Sequence, residues 1–492
     1  MQTFSKSLAW LTVAEIIYNL SGYVVHSALG RTLGPEAYGR YGLVITLTTM
    51  IIVLIGNGIP TTMSKYLSAA FEHHPEQIFG IRLTAMKLQA LLMGAVTIIF
   101  FLCAPFIAWL LHDQTLTPLF QLSALIIPTF AAASFNLYFF IGLHFFRLQA
   151  ILKIIRSLAR IGFIVALAYI FGIRGAITGN VLAPLSVFLV GFLLEEILTR
   201  KYFPSAHATK STAIFPYQTL LHYAWPLTMF LLFYELILTL DLYFVKSLLG
   251  SDYLTGIYNA AITVGRIPYY LFYALAIIIL PAIAKTTSEN NSAETEKIVN
   301  KSLRLLTLLL FPMVALLVAY APQALHFFYG SKFANAAAPM NIYAIGVGFL
   351  TVFYVLSFAL NGAGLVKIPM KLSIVGFFGM LLLNFILIPK WQLIGAALST
   401  TLICFLLMVS ILFYTYLHFH VSFQFKTIFF SLISVSIITT LTQFLPHGTY
   451  SFFVSGTALF FIYFALLKIF GELTVEDTSS FLAIFSKKNT AP

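Results

Sequence analysis

Unbroken apolar runs of about 20 residues recur along the whole chain, separated by short polar or Gly/Pro-rich breaks. A helix rising 1.5 Å per residue needs about 20 such residues to cross a hydrocarbon layer of ~30 Å. Barrel strands would instead alternate apolar and polar positions over about 10 residues. The pattern predicts an all-α polytopic membrane protein with about fourteen transmembrane helices. They fall near 6–29, 40–63, 83–111, 118–142, 161–173, 175–198, 217–246, 256–284, 304–328, 338–361, 370–388, 393–417, 427–445 and 450–469. The fifth is short as drawn, and its start runs back into the basic stretch from Leu152. Breaks are clearest at Gly34-Pro35, from His112 to Thr117 and from Lys285 to Lys301.

Composition agrees with this reading. Of 492 residues 60% are hydrophobic and only 9% are charged, against about 25% charged in soluble chains. The net charge of +12 is spread over many short loops, which argues against a nucleic-acid partner. With a cytoplasmic N-terminus and alternating loops, twenty-one Lys and Arg fall inside and six outside, with Arg266 left within a span. That bias follows the positive-inside rule and predicts that both termini are cytoplasmic. The segment from Lys6 to Leu29 lacks a small-residue cleavage site and reads as a first span. Cys103 and Cys404 lie far apart in apolar segments and read as small core residues, with no metal motif.

The chain also repeats itself. Tyr18-Asn19 matches Tyr234-Glu235 and Leu33-Gly34 matches Leu249-Gly250 at an offset of 216; Gly39 and Tyr41 match Gly256 and Tyr258 at 217. Gly162-Phe163 then matches Gly376-Phe377 at 214, and Gly175-Ala176 matches Gly395-Ala396 at 220. The expected organisation is a six-helix lobe at 1–200, a second at 216–418, two additional helices at 424–470 and a cytoplasmic tail at 471–492. Six helices per lobe give both lobes one orientation and a pseudo-twofold axis along the membrane normal. That is a known arrangement for alternating access.

The segments ALGRTLGPEAYGRYGLVITL (Ala28 to Leu47), GNGIPTTMSKYLS (Gly56 to Ser68) and NFILIPKWQLIGAALSTTL (Asn384 to Leu402) carry a family resemblance. They resemble the polysaccharide-transporter branch of the multidrug/oligosaccharidyl-lipid/polysaccharide exporter superfamily, which includes the Wzx-type O-antigen flippases. The resemblance implies two six-helix lobes around a central cavity, often with two extra C-terminal helices. It also implies a substrate, an undecaprenyl-pyrophosphate-linked oligosaccharide moved to the outer leaflet of a bacterial or archaeal plasma membrane for cell-envelope biosynthesis. Membrane lipids, and the machinery of polysaccharide assembly, are the partners it suggests.

Ionisable groups within spans are costly, by at least ~2.5–3.5 kcal/mol on insertion scales, and are functional candidates by default. Glu15 lies near the middle of the first span, Glu235 and Asp241 in the seventh, and Arg266 in the eighth, two residues before Pro268. One reading gives Arg266 a bidentate contact to the pyrophosphate and the acids a coupling proton or sodium ion. The other pairs Arg266 with Glu235 or Asp241 to make its burial tolerable. Asp241 is also near enough to the outer end of its span to meet interfacial water. Glu15 reads as cavity lining or as a hydrogen bond to a neighbouring helix. At the cytoplasmic mouth Lys65, Arg82 and Lys87 either recruit a phosphorylated headgroup or serve as ordinary basic flanks in contact with anionic lipid. Gly56, Gly58 and Pro60 break the second span, as a hinge or as a tightly packed terminus.

No catalytic, nucleotide-binding or metal motif is present in the sequence, so no cofactor is expected beyond a coupling ion. A lipid II flippase would need an arginine cluster in the first lobe, where Glu15 is the expected intramembrane charge. A drug exporter of the MATE type suits an acidic cavity, but the opening motif points elsewhere. A membrane polymerase, ligase or glycosyltransferase would need a large outer loop; the outer loops here reach about a dozen residues. A purely structural scaffold has little reason to hold four charges inside spans.

Overall fold

The structure, a computed structural model, describes residues 4–56, 58–73, 77–202, 218–421, 424–446, 448 and 450–473. It divides into two compact units, Met1–Thr228 and Met229–Pro492. Every α-element is a helix packed in layers on other helices, and among the described residues there is no strand. Among these residues, nine helical segments are long and apolar enough to cross a membrane. Their outward faces confirm the solvent: on the third helix Leu91, Ile98, Leu102, Phe106 and Trp109 are all exposed. An apolar surface that large is stable only against lipid.

Unit 1 contains α1 (Phe4–Gly56), α2 (Gly58–His73), α3 (Ile78–Leu110), α4 (Thr117–Ala124), α5 (Ile126–Gly142) and α6 (Phe146–Tyr202). α1 and α6 are hairpins whose arms meet at a single residue in a non-helical conformation, Gly34 and Gly172. The reversal at Gly34 brings His26 Nδ1 within 2.9 Å of the Tyr38 hydroxyl; twelve residues along a straight helix would separate them by ~18 Å. Beyond Gly172, a Cβ on Gly175 would overlap the Leu167 carbonyl, and one on Gly179 the backbone of Ile164. Small residues here let the two arms touch backbone to backbone. The core lies among Met63, Leu67, Ile78, Phe139, Phe140 and Leu152, from α2, α3, α5 and α6.

α7 (Gln218–Leu249) carries the chain into unit 2, followed by α8 (Asp252–Gly265), α9 (Ile267–Ser288), α10 (Ser292–Ala319), α11 (Ala321–Tyr329), α12 (Ala337–Gly362) and α13 (Lys367–Phe419). α13 is a third hairpin, turned at Gln392, and a Cβ on Gly395 would meet the Leu387 carbonyl as Gly175 meets Leu167. α14 (Phe425–Leu441) and α15 (Ser451–Ile469) follow. They pack on α10 through Leu308, Tyr320, Ile438, Leu459 and Tyr463. Arg304 of α10 fixes their ends, donating to Gln424 Oε1 at 2.7 Å, Thr427 Oγ1 at 3.0 Å and the Glu472 carbonyl at 2.5 Å.

The internal repeat extends to the backbone. Residues with positive φ mark turns of unit 1 at Gly34, His112, His144 and Gly172, and four of the seven such residues of unit 2, Gly250, Gly330, Gly364 and Gln392, mark the matching turns. These four pairs lie at offsets of 216 to 220, the band found in the sequence.

Three sequence expectations are corrected. The fifth span starts earlier than 161, as the basic stretch from Leu152 suggested, and earlier still: its helix begins at Phe146, so Lys153, Arg156 and Arg160, counted among the loop charges, belong to a helix. Cys103 faces outward on α3, while Cys404 is buried as expected. Asp241 is not near interfacial water; its side chain is completely buried. The expected tail residues after 473 lie outside the described residues.

Candidate functional site

The first arm of α6 carries Lys153, Arg156 and Arg160 at i, i+3 and i+7, which places them on one side of the helix. Fourteen residues separate Phe146 from Arg160, so the row climbs ~21 Å from the start of the helix. All three face Tyr18 on the first arm of α1, with the cationic atoms 5.3, 5.5 and 5.6 Å from its ring centre. Arg156 is also stacked 4.0 Å from the Phe130 ring of α5 and is almost fully buried. The Arg160 guanidinium lies against the α1 backbone at Gly22, 3.4 Å from where a Cβ would stand. Nearer the helix start, Arg147 covers the ring of Trp10. Aromatic faces are the cheapest way to hold guanidinium groups in an apolar layer without neutralising them.

Glu15, expected to line a cavity or bond a neighbouring helix, forms an ion pair with Lys153. The Glu15 side chain remains about half exposed (49%), and that of Lys153 is 20% exposed. The positive-inside count takes Lys153, Arg156 and Arg160 as cytoplasmic flanks of the fifth span, and hydropathy leaves Glu15 as the intramembrane charge of the first unit. Their spacing on one helical face, with Leu152, Ile154 and Ile155 between them, is the signal that marks them.

A second polar network is enclosed in unit 2. Asp241 Oδ2 accepts from the Tyr258 hydroxyl at 2.6 Å and from Thr400 Oγ1 at 2.9 Å, and Oδ1 from the Leu242 amide at 2.9 Å. α7, α8 and α13 therefore meet on one carboxylate. Arg266 sits at the break between α8 and α9, where Pro268 starts the next helix. Its Nε donates to the Tyr343 hydroxyl at 2.7 Å, and its Nη2 to the Leu238 carbonyl. The hydrogen bonds of Arg266 thus go to a hydroxyl and a backbone carbonyl, while Glu235 and Asp241, the expected partners, lie near enough to interact with its charge. Glu235 and Asp241, six residues apart, point about 120° apart around α7 and share no face. Glu235 is only partly buried. Glu15 belongs to unit 1 and the other three to unit 2, so the four do not form one cluster within either unit.

Unit 1 repeats this architecture with different chemistry. Tyr41 and Asn180, the counterparts of Tyr258 and Thr400 at offsets of 217 and 220, are joined by a 3.0 Å hydrogen bond from Asn180 Nδ2. His26 stacks edge-on to Tyr41 there.

The cytoplasmic-mouth candidates separate. Arg82 is engaged by the buried carboxylate of Glu195 and lies over the Phe139 ring, which takes it away from headgroup recruitment. Lys87 is exposed on α3. The Lys65 side chain lies outside the described residues. The described residues hold no cluster of His, Cys, Asp or Glu suited to a metal ion.

Helical hairpins and a repeated unit define an all-helical, multi-pass membrane protein. The family profile described as "Polysaccharide biosynthesis protein" matches residues 4–287, more than half of the chain, and a second, "MatE", matches residues 226–388. The chain belongs to the polysaccharide biosynthesis protein family. It is 22% identical over 406 residues to an uncharacterized membrane protein of Methanocaldococcus jannaschii, covering 80% of this chain and 94% of the relative. With stage V sporulation protein B of Bacillus subtilis it shares 24% identity over 427 residues, 81% and 80% of the two chains. Among solved structures, the lipid II flippase MurJ in an inward closed conformation matches with a TM-score of 0.74 at 17% identity, over 94% of this chain and 98% of that one. An inward-facing multidrug resistance MATE family transporter matches at 0.65 and 14%, over 84% and 98%. At these identities the likeness establishes the fold.

Proposed function

We propose that this protein is a flippase, not an enzyme, that moves a glycan linked through a diphosphate to undecaprenol from the cytoplasmic to the outer leaflet of the plasma membrane by alternating access. The observation that carries the proposal is the row Lys153, Arg156 and Arg160, which holds three cations on one side of a long apolar helix against Tyr18 and Phe130. A diphosphate needs such a site: guanidinium forks bind phosphate oxygens in pairs, and a low-dielectric setting strengthens each contact. Family membership supports the glycan as cargo. With both termini cytoplasmic, the first arm of α6 starts on the cytoplasmic side, where such a lipid is made. Removing its three cations from the loop count still leaves eighteen inside against six outside. Arg266 is the candidate contact in unit 2, and the enclosed Asp241 is the candidate site for a coupling proton or sodium ion.

The same row favours a second reading. An arginine cluster in the first unit is what a lipid II flippase requires, and it is present. Both cargoes share the diphosphate and differ in the sugar. Purified protein in proteoliposomes, offered labelled undecaprenyl-pyrophosphate oligosaccharide, lipid II and a cationic drug separately, distinguishes them. Movement of the oligosaccharide that collapses in Arg156→Ala supports the proposal. Movement of lipid II alone shifts it to the second reading, and movement of the drug alone overturns both.

A further inference from the structure

The polar face of α6 begins one turn before Lys153, at Gln149. Residues 149, 153, 156 and 160 follow one another at i, i+4, i+7 and i+11, so all four lie within an arc of ~60° around the helix. Gln149 is 6% exposed. Its Oε1 is enclosed and has no hydrogen-bond partner among the described residues. A buried amide oxygen without a donor is costly, and nearly all such atoms in folded proteins are satisfied. The group that satisfies this one must be a donor, because an amide oxygen only accepts.

An ionised diphosphate diester offers acceptors alone and cannot supply that bond. The donors of a diphosphate-linked glycan are the hydroxyl and amide N–H groups of its sugars. The first sugar is bonded directly to the diphosphate, so it lies beside whatever holds the phosphates. Four residues of helix rise ~6 Å, about the span of one sugar ring. Gln149 also lies on the side of the row nearer Phe146, where α6 starts. In the flippase reading that is the cytoplasmic side, from which the glycan follows its diphosphate.

Resting on that reading, we propose that Gln149 is a specificity-determining residue: its amide accepts a hydrogen bond from the first sugar while Lys153, Arg156 and Arg160 hold the diphosphate. One helix face then carries two kinds of recognition. The cations bind what all diphosphate lipids share, and the amide tests whether a sugar is attached. A site built to accept from a sugar hydroxyl rejects a ligand that lacks it, because the buried oxygen stays unpaired. Arg156 is buried as deeply as Gln149, so one opening of this face uncovers both.

The test measures the Kd of two probes for the full-length protein in nanodiscs. One is undecaprenyl-pyrophosphate oligosaccharide. The other is the methyl ester of undecaprenyl pyrophosphate, which has the same tail and charge but no sugar. The wild type should prefer the first by about 5-fold or more. Gln149→Met keeps the length of the side chain and removes the amide. It should cut the preference to less than about 2-fold while binding the methyl ester at wild-type affinity, which also shows that the variant is folded. Arg156→Ala should weaken both probes by a similar factor. A wild type that binds the two probes alike overturns the inference, as does a Gln149→Met protein that keeps the preference or weakens on both probes equally. These outcomes leave the flippase reading standing. Failure of the wild type to bind either probe overturns both.

Discussion

Arg82 of α3 and Glu195 of the second arm of α6 form a buried ion pair, with the carboxylate only 2% exposed and the guanidinium over the Phe139 ring. A residue that reads in sequence as a basic flank is therefore a tie between two helices. Removing one partner leaves the other charged and enclosed, so Arg82→Leu should destabilise unit 1 by about 3–5 kcal/mol. Arg82→Leu/Glu195→Leu should recover most of that loss, and Lys87→Ala should change nothing. Thermal unfolding in detergent checks all three.

Substitutions along α6 should act on transport before they act on folding. Arg160→Ala and Arg156→Ala are each expected to lower glycan translocation in proteoliposomes by at least about 10-fold, the loss of one charge-assisted phosphate contact. Arg156→Lys should recover only part of it, because an ammonium is a point charge and stacks less well on Tyr18 and Phe130. Equal rates for Arg156→Lys and wild type would show that charge alone matters.

Asp241 has three donors and stands fully enclosed. Tyr258→Phe or Thr400→Val withdraws one donor from a buried carboxylate, and each should cost about 1–3 kcal/mol in unfolding measurements. Asp241→Asn keeps the shape and should leave the protein folded while removing the dependence of glycan transport on an imposed sodium or proton gradient. Persistence of that dependence would place the coupling ion elsewhere.

The hairpins make opposite predictions at matched positions. A Cβ at Gly395 collides with the Leu387 carbonyl, as one at Gly175 does with Leu167, so Gly395→Ala and Gly175→Ala should each cost about 1–3 kcal/mol, the range for overpacking a close contact. Gln392 holds a left-handed backbone (φ 48°) where its counterpart is Gly172. Gln392→Gly should therefore stabilise the protein by up to about 1 kcal/mol, visible as a higher unfolding temperature.

What was legible in the sequence is what repeats over long windows. The apolar runs placed α3, α5, α14 and α15, and the glycine and tyrosine pairs at offsets of 214 to 220 pointed to matching turns that the backbone then showed. What was not legible depended on where a helix begins. The start of the fifth span is blurred, somewhere in the basic stretch from Leu152, because four cations between Arg147 and Arg160 read as a loop by hydropathy and count as cytoplasmic flanks. Tyr18, Trp10 and Phe130, which make those charges tolerable, lie on other helices, and no local pattern links them. The partners of Arg266 were missed for a related reason. A charge invites a search for an opposite charge, whereas the Tyr343 hydroxyl and the Leu238 carbonyl are supplied by residues with no charge to notice.

The backbone contacts at Gly175 and Gly395 also constrain how either unit can change shape. Arms that touch without intervening side chains cannot slide past each other, because each step of one helix would drive carbonyl oxygens into the other. The hairpins of α6 and α13 therefore move as rigid forks. Bending within a unit is left to helices that are interrupted along their length: at Leu125 between α4 and α5, and at Arg266 between α8 and α9. Arg266 thus stands on a hinge as well as in a polar network, and anything that binds its guanidinium also acts on the angle between two helix halves.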